Sequence, residues 1–86
     1  MHYVYIIVSL KDGTFYKGYT TNYLKRLDEH YAGLSEYTSN KTPWVLRYVE
    51  MLPTRTDALK RELMLKRQNR KYLMWLFSQP TNVLLG

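Results

Sequence analysis

The chain has 86 residues, enough for one domain and too few for two. It is 45% hydrophobic and 15% aromatic, the composition of a folded protein with one modest core, so an aromatic side chain is a packing residue unless other features argue otherwise. It contains no cysteine and two histidines, His2 and His30, which excludes disulfides, thiolate sites and multi-histidine zinc centres. Any metal must then sit on carboxylate oxygen and water, which selects Mg²⁺ or Mn²⁺.

Thirteen basic residues give a net charge of +6, and the segment from Lys60 to Lys71 carries Lys60, Arg61, Lys66, Arg67, Arg70 and Lys71. Such a balance points to a polyanionic partner or, more plainly, to a solvated helix face. No apolar stretch approaches the roughly 20 residues of a membrane span, and the N-terminus opens into a strand-like run. The expectation is a soluble, cytoplasmic protein without a membrane partner.

In chain order, residues 2–9 (HYVYIIVS) are β-branched and aromatic with apolar residues on both faces, which predicts a central strand. Asp12-Gly13 marks a hairpin, and Thr14 to Tyr19 reads as the antiparallel partner, bringing Tyr5 and Tyr16 into one neighbourhood. Thr21 or Asn22 caps a helix running to about Tyr31, with Tyr23, Leu24, Leu27 and Tyr31 at helical spacing and Gly33 at its end. Leu34 to Pro43 is a polar loop of about ten residues, long enough to suspect of function.

Trp44 to Met51 is expected as a third strand. Thr54, followed by Asp57 three residues on, starts a helix whose buried side is read as Ala58, Leu59, Leu63 and Leu65. A further helix, about Arg70 to Phe77, packs Leu73, Trp75, Leu76 and Phe77 before Pro80 closes it. The order β-β-α-β-α-α predicts an α+β domain over residues 1–79, a small three-stranded antiparallel sheet flanked by helices, with 80–86 as a loose C-terminal tail. Trp44 and Trp75 are both expected in the core, although exposed aromatics would instead suit a protein-interaction adaptor.

Several side chains carry possible chemistry. Glu62 falls at the edge of the presumed buried stripe, where a carboxylate is costly unless paired or bound to a cation. It either binds a metal or forms a salt bridge to Lys66 or a neighbouring arginine. Arg26 and His30 lie four apart on one helix face. Arginine suits phosphate oxygens and histidine exchanges protons near neutrality, but both are also ordinary residues of an exposed face. Strand tyrosines such as Tyr5 and Tyr16 usually pack, and an unperturbed phenol with pKa about 10 is a poor base at neutral pH.

Taken in order, Tyr3-Val4-Tyr5 and Tyr16-Lys17-Gly18, separated by ten residues, then Arg26, His30 and Glu62, resemble the spaced motifs of the GIY-YIG nuclease family. The resemblance spans residues 3 to 72. The stretches from Tyr16 to Thr21, Arg26 to His30 and Ala58 to Glu62 look closest to its small stand-alone bacterial members. It implies a metal-dependent endonuclease that hydrolyses the phosphodiester backbone, DNA more than RNA, in a single in-line step. Tyr5 and Tyr16 would handle the attacking water, and Arg26 would neutralise charge on the phosphate. Glu62 would hold a single Mg²⁺ or Mn²⁺, and His30 would orient groups or shuttle a proton. Lys17, Lys60, Arg61, Lys66, Arg67 and Arg70 are expected to contact nucleic acid.

Tyr3 and Lys17 replace the signature's first glycine and second isoleucine. Tyr19 stands where some members have a lysine that assists the base. An alternative is a basic nucleic-acid-binding module that keeps the fold without turnover. With no room for a separate recognition domain, binding should be dominated by backbone phosphates and depend steeply on salt.

Overall fold

The computed structural model describes residues 1–33 and 38–86. Its elements run β1 (His2–Ser9), β2 (Phe15–Thr20), α1 (Tyr23–Tyr31), a 3₁₀ turn (Ser39–Lys41), β3 (Trp44–Leu52), α2 (Arg55–Lys66), α3 (Arg70–Leu76) and a final 3₁₀ turn (Val83–Leu85). This is the expected α+β order. Residues 34–37 of the anticipated 34–43 loop lie outside the described residues.

The three strands pair antiparallel in the order β2-β1-β3, with β1 in the centre. Because side chains alternate across a strand, β1 feeds two cores at once. Val4 and Ile6 pack with Tyr48, Ala58, Leu65, Leu73 and Leu76 beneath α2 and α3. Tyr5 and Ile7 pack with Trp44 and Val49 on the opposite face, where Tyr23 and Leu27 of α1 cover them. The continuous apolar run of β1 thus reflects burial on both sides.

Local signals set the helix ends. The Asn22 side chain accepts the Lys25 N–H at 3.1 Å, and Thr54 accepts the Asp57 N–H at 3.1 Å. Beyond α1, Gly33 adopts φ +72, a left-handed conformation that a Cβ would strain.

Side-chain directions differ from expectation at several points. Leu24 and Tyr31 of α1 are exposed, as are Leu59 and Leu63 of α2. The sheet-facing side of α2 instead carries Ala58 and Leu65 buried, with Arg61 and Glu62 half-buried between them. Trp44 is core, whereas Trp75 is 54% exposed.

The C-terminal tail is docked rather than loose. Asn82 is buried, donating to the carbonyls of Arg47 and Phe77 and accepting from the N–H groups of Val49 and Leu84. The Arg47 carbonyl sits where the β1–β3 register slips between Ile6 and Ile7. An irregularity in the ladder is therefore bonded by a side chain from outside the sheet. Among the described residues no helix is long and apolar enough to cross a membrane.

Candidate active site

β1 and β2 pair Tyr5 with Gly18 and Ile7 with Tyr16, so the two tyrosines stand on one face of the sheet with ring centroids 6.3 Å apart. Gly18 makes this possible. A Cβ there would lie 2.4 Å from the Tyr5 hydroxyl oxygen, because the Tyr5 ring lies across that backbone position. The glycine of the second motif is thus a packing requirement of the tyrosine of the first.

From α1, the His30 ring approaches both tyrosines, 5.9 Å from Tyr5 and 5.2 Å from Tyr16 between centroids. His30 is fully buried, not a surface residue of the helix, and its Nε2 is hydrogen-bonded to the Tyr5 hydroxyl at 3.0 Å. Burial pulls the imidazole down to about 4, and the nearby Arg26 charge adds to this while Glu29 opposes it. His30 is therefore neutral at pH 7.

Arg26 lies one turn before it. Desolvation works against its charge, but hydrogen bonds with Tyr5, Glu29 and Tyr16 outweigh that and hold the guanidinium firmly protonated. Its ion pair with Glu29 is 3.2 Å long.

Glu62 approaches from α2. Its carboxylate is 19% exposed and 3.7 Å from Lys66 Nζ, the i+4 partner. Burial pushes the Tyr5 hydroxyl up to about 12; the Arg26 hydrogen bond opposes the rise, and the charges of Tyr16, then of Glu62, add to it. Tyr5 thus senses Tyr16, Arg26 and Glu62 electrostatically and touches His30, so these five side chains form one constellation.

Among the described residues, no group of three or more His, Cys, Asp or Glu side chains gathers to hold a metal. A lone carboxylate fits an ion that keeps most of its water shell, as Mg²⁺ does, and suits no ion that needs a full protein cage.

The expected nucleic-acid contacts divide into three groups. Lys17 of β2 is half-buried and held below the usual lysine range by burial and then by the charge of Lys66, which itself lies beside Glu62. At about 100° per residue, Lys60 and Arg67 fall on roughly the opposite side of α2 from Glu62. Arg61 and Arg70 have partners within the protein. Arg61 Nε binds Glu50 at 2.9 Å, with both side chains under 20% exposed. Arg70 donates to the Gly13 carbonyl at 2.8 Å and lies 4.3 Å over the Phe15 ring. A cleft of about 560 Å³ lined by Phe15, Leu46, Met74 and Phe77 includes Arg70 but none of the five constellation residues.

Sequence reasoning missed Thr38. It is fully buried, with Oγ1 2.6 Å from His30 Nδ1 and its carbonyl accepting from Trp44 Nε1 at 3.0 Å. No local pattern marks a threonine in a polar loop; only its distant partners do.

Known proteins resemble this chain over most of its length. The GIY-YIG catalytic domain matches residues 1–75. A UPF0213 protein of Halobacterium salinarum is 41% identical over 78 residues, 90% of this chain and 100% of that protein. Another, from Staphylococcus haemolyticus, is 44% identical over 71 residues, 81% of this chain and 85% of that one. The solution NMR structure of UPF0213 protein BH0048 from Bacillus halodurans superposes with a TM-score of 0.59 at 32% identity, covering 96% of this chain and 88% of that one. The chain belongs to the GIY-YIG family.

Proposed function

We propose that this protein is a metal-dependent endonuclease that hydrolyses phosphodiester bonds of nucleic acid, with DNA as the expected substrate, by in-line attack of water. The observation that carries this reading is the gathering of Arg26, His30 and Tyr16 around the Tyr5 side chain, with Glu62 of α2 acting on it electrostatically. Arg26, held charged, offers its donors to a phosphate that gains negative charge as water attacks. Tyr5 and Tyr16 line the place where that water is handled, and His30 orients the Tyr5 oxygen. Glu62 would hold one Mg²⁺ or Mn²⁺, which when bound stabilises charge on the leaving oxygen.

Lys66, beside the same carboxylate, and Lys17, within reach of the Lys66 charge, suit phosphates flanking the scissile one. The test is incubation of pure protein with plasmid, single-stranded DNA and RNA, with and without Mg²⁺ or Mn²⁺, beside Glu62→Gln. Cleavage should require metal and fall by about 100-fold or more in the variant. Cutting without metal, or cutting that survives Glu62→Gln, overturns the reading. Salt-sensitive binding without cutting would instead favour a binding module that retains the fold; the high-pH titration of Tyr5 is the feature that favours it.

A further inference from the structure

Behind Tyr5 runs a buried chain of polar groups that the proposed chemistry leaves unassigned. Tyr5, His30, Thr38 and Trp44 are each at most 2% exposed. Tyr5 Oη meets His30 Nε2 at 3.0 Å, and His30 Nδ1 meets Thr38 Oγ1 at 2.6 Å. The Thr38 carbonyl accepts from Trp44 Nε1 at 3.0 Å and from the Lys41 N–H at 3.1 Å, which anchors the threonine from two directions. The Trp44 ring also lies 6.5 Å from both His30 and Tyr16.

We propose that Thr38 is a positioning residue that sets the tautomer of His30, so that the imidazole donates a hydrogen bond from Nε2 to the Tyr5 oxygen. Donor counting carries this. A neutral imidazole has one N–H and one lone pair, and a buried hydroxyl must place its hydrogen on an acceptor. Among the described residues the hydrogen-bond partner of Thr38 Oγ1 is His30 Nδ1. If Nδ1 carried the proton, the Thr38 hydroxyl would have to accept there and its own hydrogen would face no acceptor among the described residues, at a cost of about 1–3 kcal/mol. If Nδ1 carries the lone pair, the hydroxyl donates to it, and the ring proton is left on Nε2, facing Tyr5.

The consequence reaches the reactive surface. Arginine only donates, so the Tyr5 oxygen receives two donors, from Arg26 and from His30. Its own hydrogen is then directed to a third position, away from both. Two donors stabilise negative charge on that oxygen and so favour the phenolate, the form able to take a proton from water once the hydroxyl has released its own hydrogen at that third position. The opposite tautomer would turn a lone pair toward the same oxygen and oppose that charge. This step from tautomer to catalysis rests on the nuclease reading; the tautomer itself does not.

The experiment is ¹⁵N NMR of the imidazole nitrogens of His30 in the wild-type chain at neutral pH, with Thr38→Ser and Thr38→Val beside it. Wild type should show a pyrrole-type Nε2 and a pyridine-type, hydrogen-bonded Nδ1. Thr38→Ser should keep both signals. Thr38→Val should shift Nδ1 to an unbonded position or mix the tautomers, and should lower kcat about 10-fold at unchanged KM, with Thr38→Ser restoring it. A pyrrole-type Nδ1 in folded wild type overturns the proposal, as does a folded Thr38→Val with unchanged ring signals or unchanged kcat. The expected ring signals in a wild-type protein that cuts nothing would support the tautomer assignment and count against the nuclease.

Discussion

The ring of Tyr5 lies across the backbone of Gly18, so close that a Cβ at residue 18 would sit 2.4 Å from the hydroxyl oxygen and 2.8 Å from the ring edge. The two residues face each other across the β1–β2 ladder, each from one of the two motifs. Tyr5 is buried, so its ring cannot swing into open solvent to make room. Gly18→Ala should therefore displace the Tyr5 hydroxyl from His30 and Arg26, destabilise the fold by about 1–3 kcal/mol and abolish cleavage. Urea unfolding and a cleavage assay check this. A Gly18→Ala protein of wild-type stability and activity would show that Tyr5 has another place to go.

His30 makes stability depend on pH in a defined window. In the unfolded chain its pKa is near 6.5, whereas burial lowers it to about 4 in the folded protein. Between these values the unfolded state binds the extra proton, so stability rises with pH across the window. The contribution is fully present above about pH 6.5 and is lost as pH falls toward 4, a span of about 3 kcal/mol at most. Urea unfolding from pH 4 to 7 should show this slope, and His30→Gln should flatten it. An unchanged slope in His30→Gln would assign the pH dependence to the carboxylates.

The basic residues are separable by salt dependence. Lys66 stands beside Glu62 and Lys17 senses the Lys66 charge, while Lys60 and Arg67 lie across α2 from Glu62. Replacing Lys17 and Lys66 together by Ala should reduce the slope of log K against log salt by about 2, roughly one for each phosphate no longer neutralised. Lys60→Ala should leave it unchanged. Arg61→Ala should act on stability, costing about 1–3 kcal/mol, because Glu50 would be left half-buried without its cation. Fluorescence-anisotropy titrations at several salt concentrations, with thermal melts in parallel, distinguish the three outcomes.

The C-terminal segment should count toward stability. Asn82 makes four hydrogen bonds from a buried position, to backbone groups of residues 47, 49, 77 and 84. Tyr48, in the core below α2, is hydrogen-bonded to Thr81 at 2.8 Å. Removing residues 81–86, or the single change Asn82→Ala, should cost about 2–4 kcal/mol by leaving buried backbone groups unpaired. A truncated chain that melts with the full-length protein would mean that the tail is ornamental.

Much of the fold is legible in the residues because its determinants are local. The β-branched run of β1, the Asn22 and Thr54 caps and the Gly33 helix end each depend on residues within a few positions of one another. The spaced motifs likewise name Tyr5, Tyr16, Arg26, His30 and Glu62 without coordinates. What local pattern could not decide is which polar groups are used inside the molecule. Leucines occur on more than one side of α2, so burial of Ala58 and Leu65 rather than Leu59 and Leu63 follows from how the helix seats on the sheet.

Arg61 and Arg70 read as unpartnered cations until Glu50 and Gly13, 11 and 57 residues away, take their donors. His30 reads as an exposed helix residue until Tyr5, 25 residues earlier, and Thr38 enclose it. The sequence by itself determined the elements, their order and which side chains are candidates for the site, because propensity, capping and motif spacing act over short stretches of chain. Only the tertiary structure decided the face each side chain presents, the partners of Arg61 and Arg70, the docked tail and the threonine behind the histidine. A buried polar group must find its partner in space, and in this protein those partners are distant in sequence.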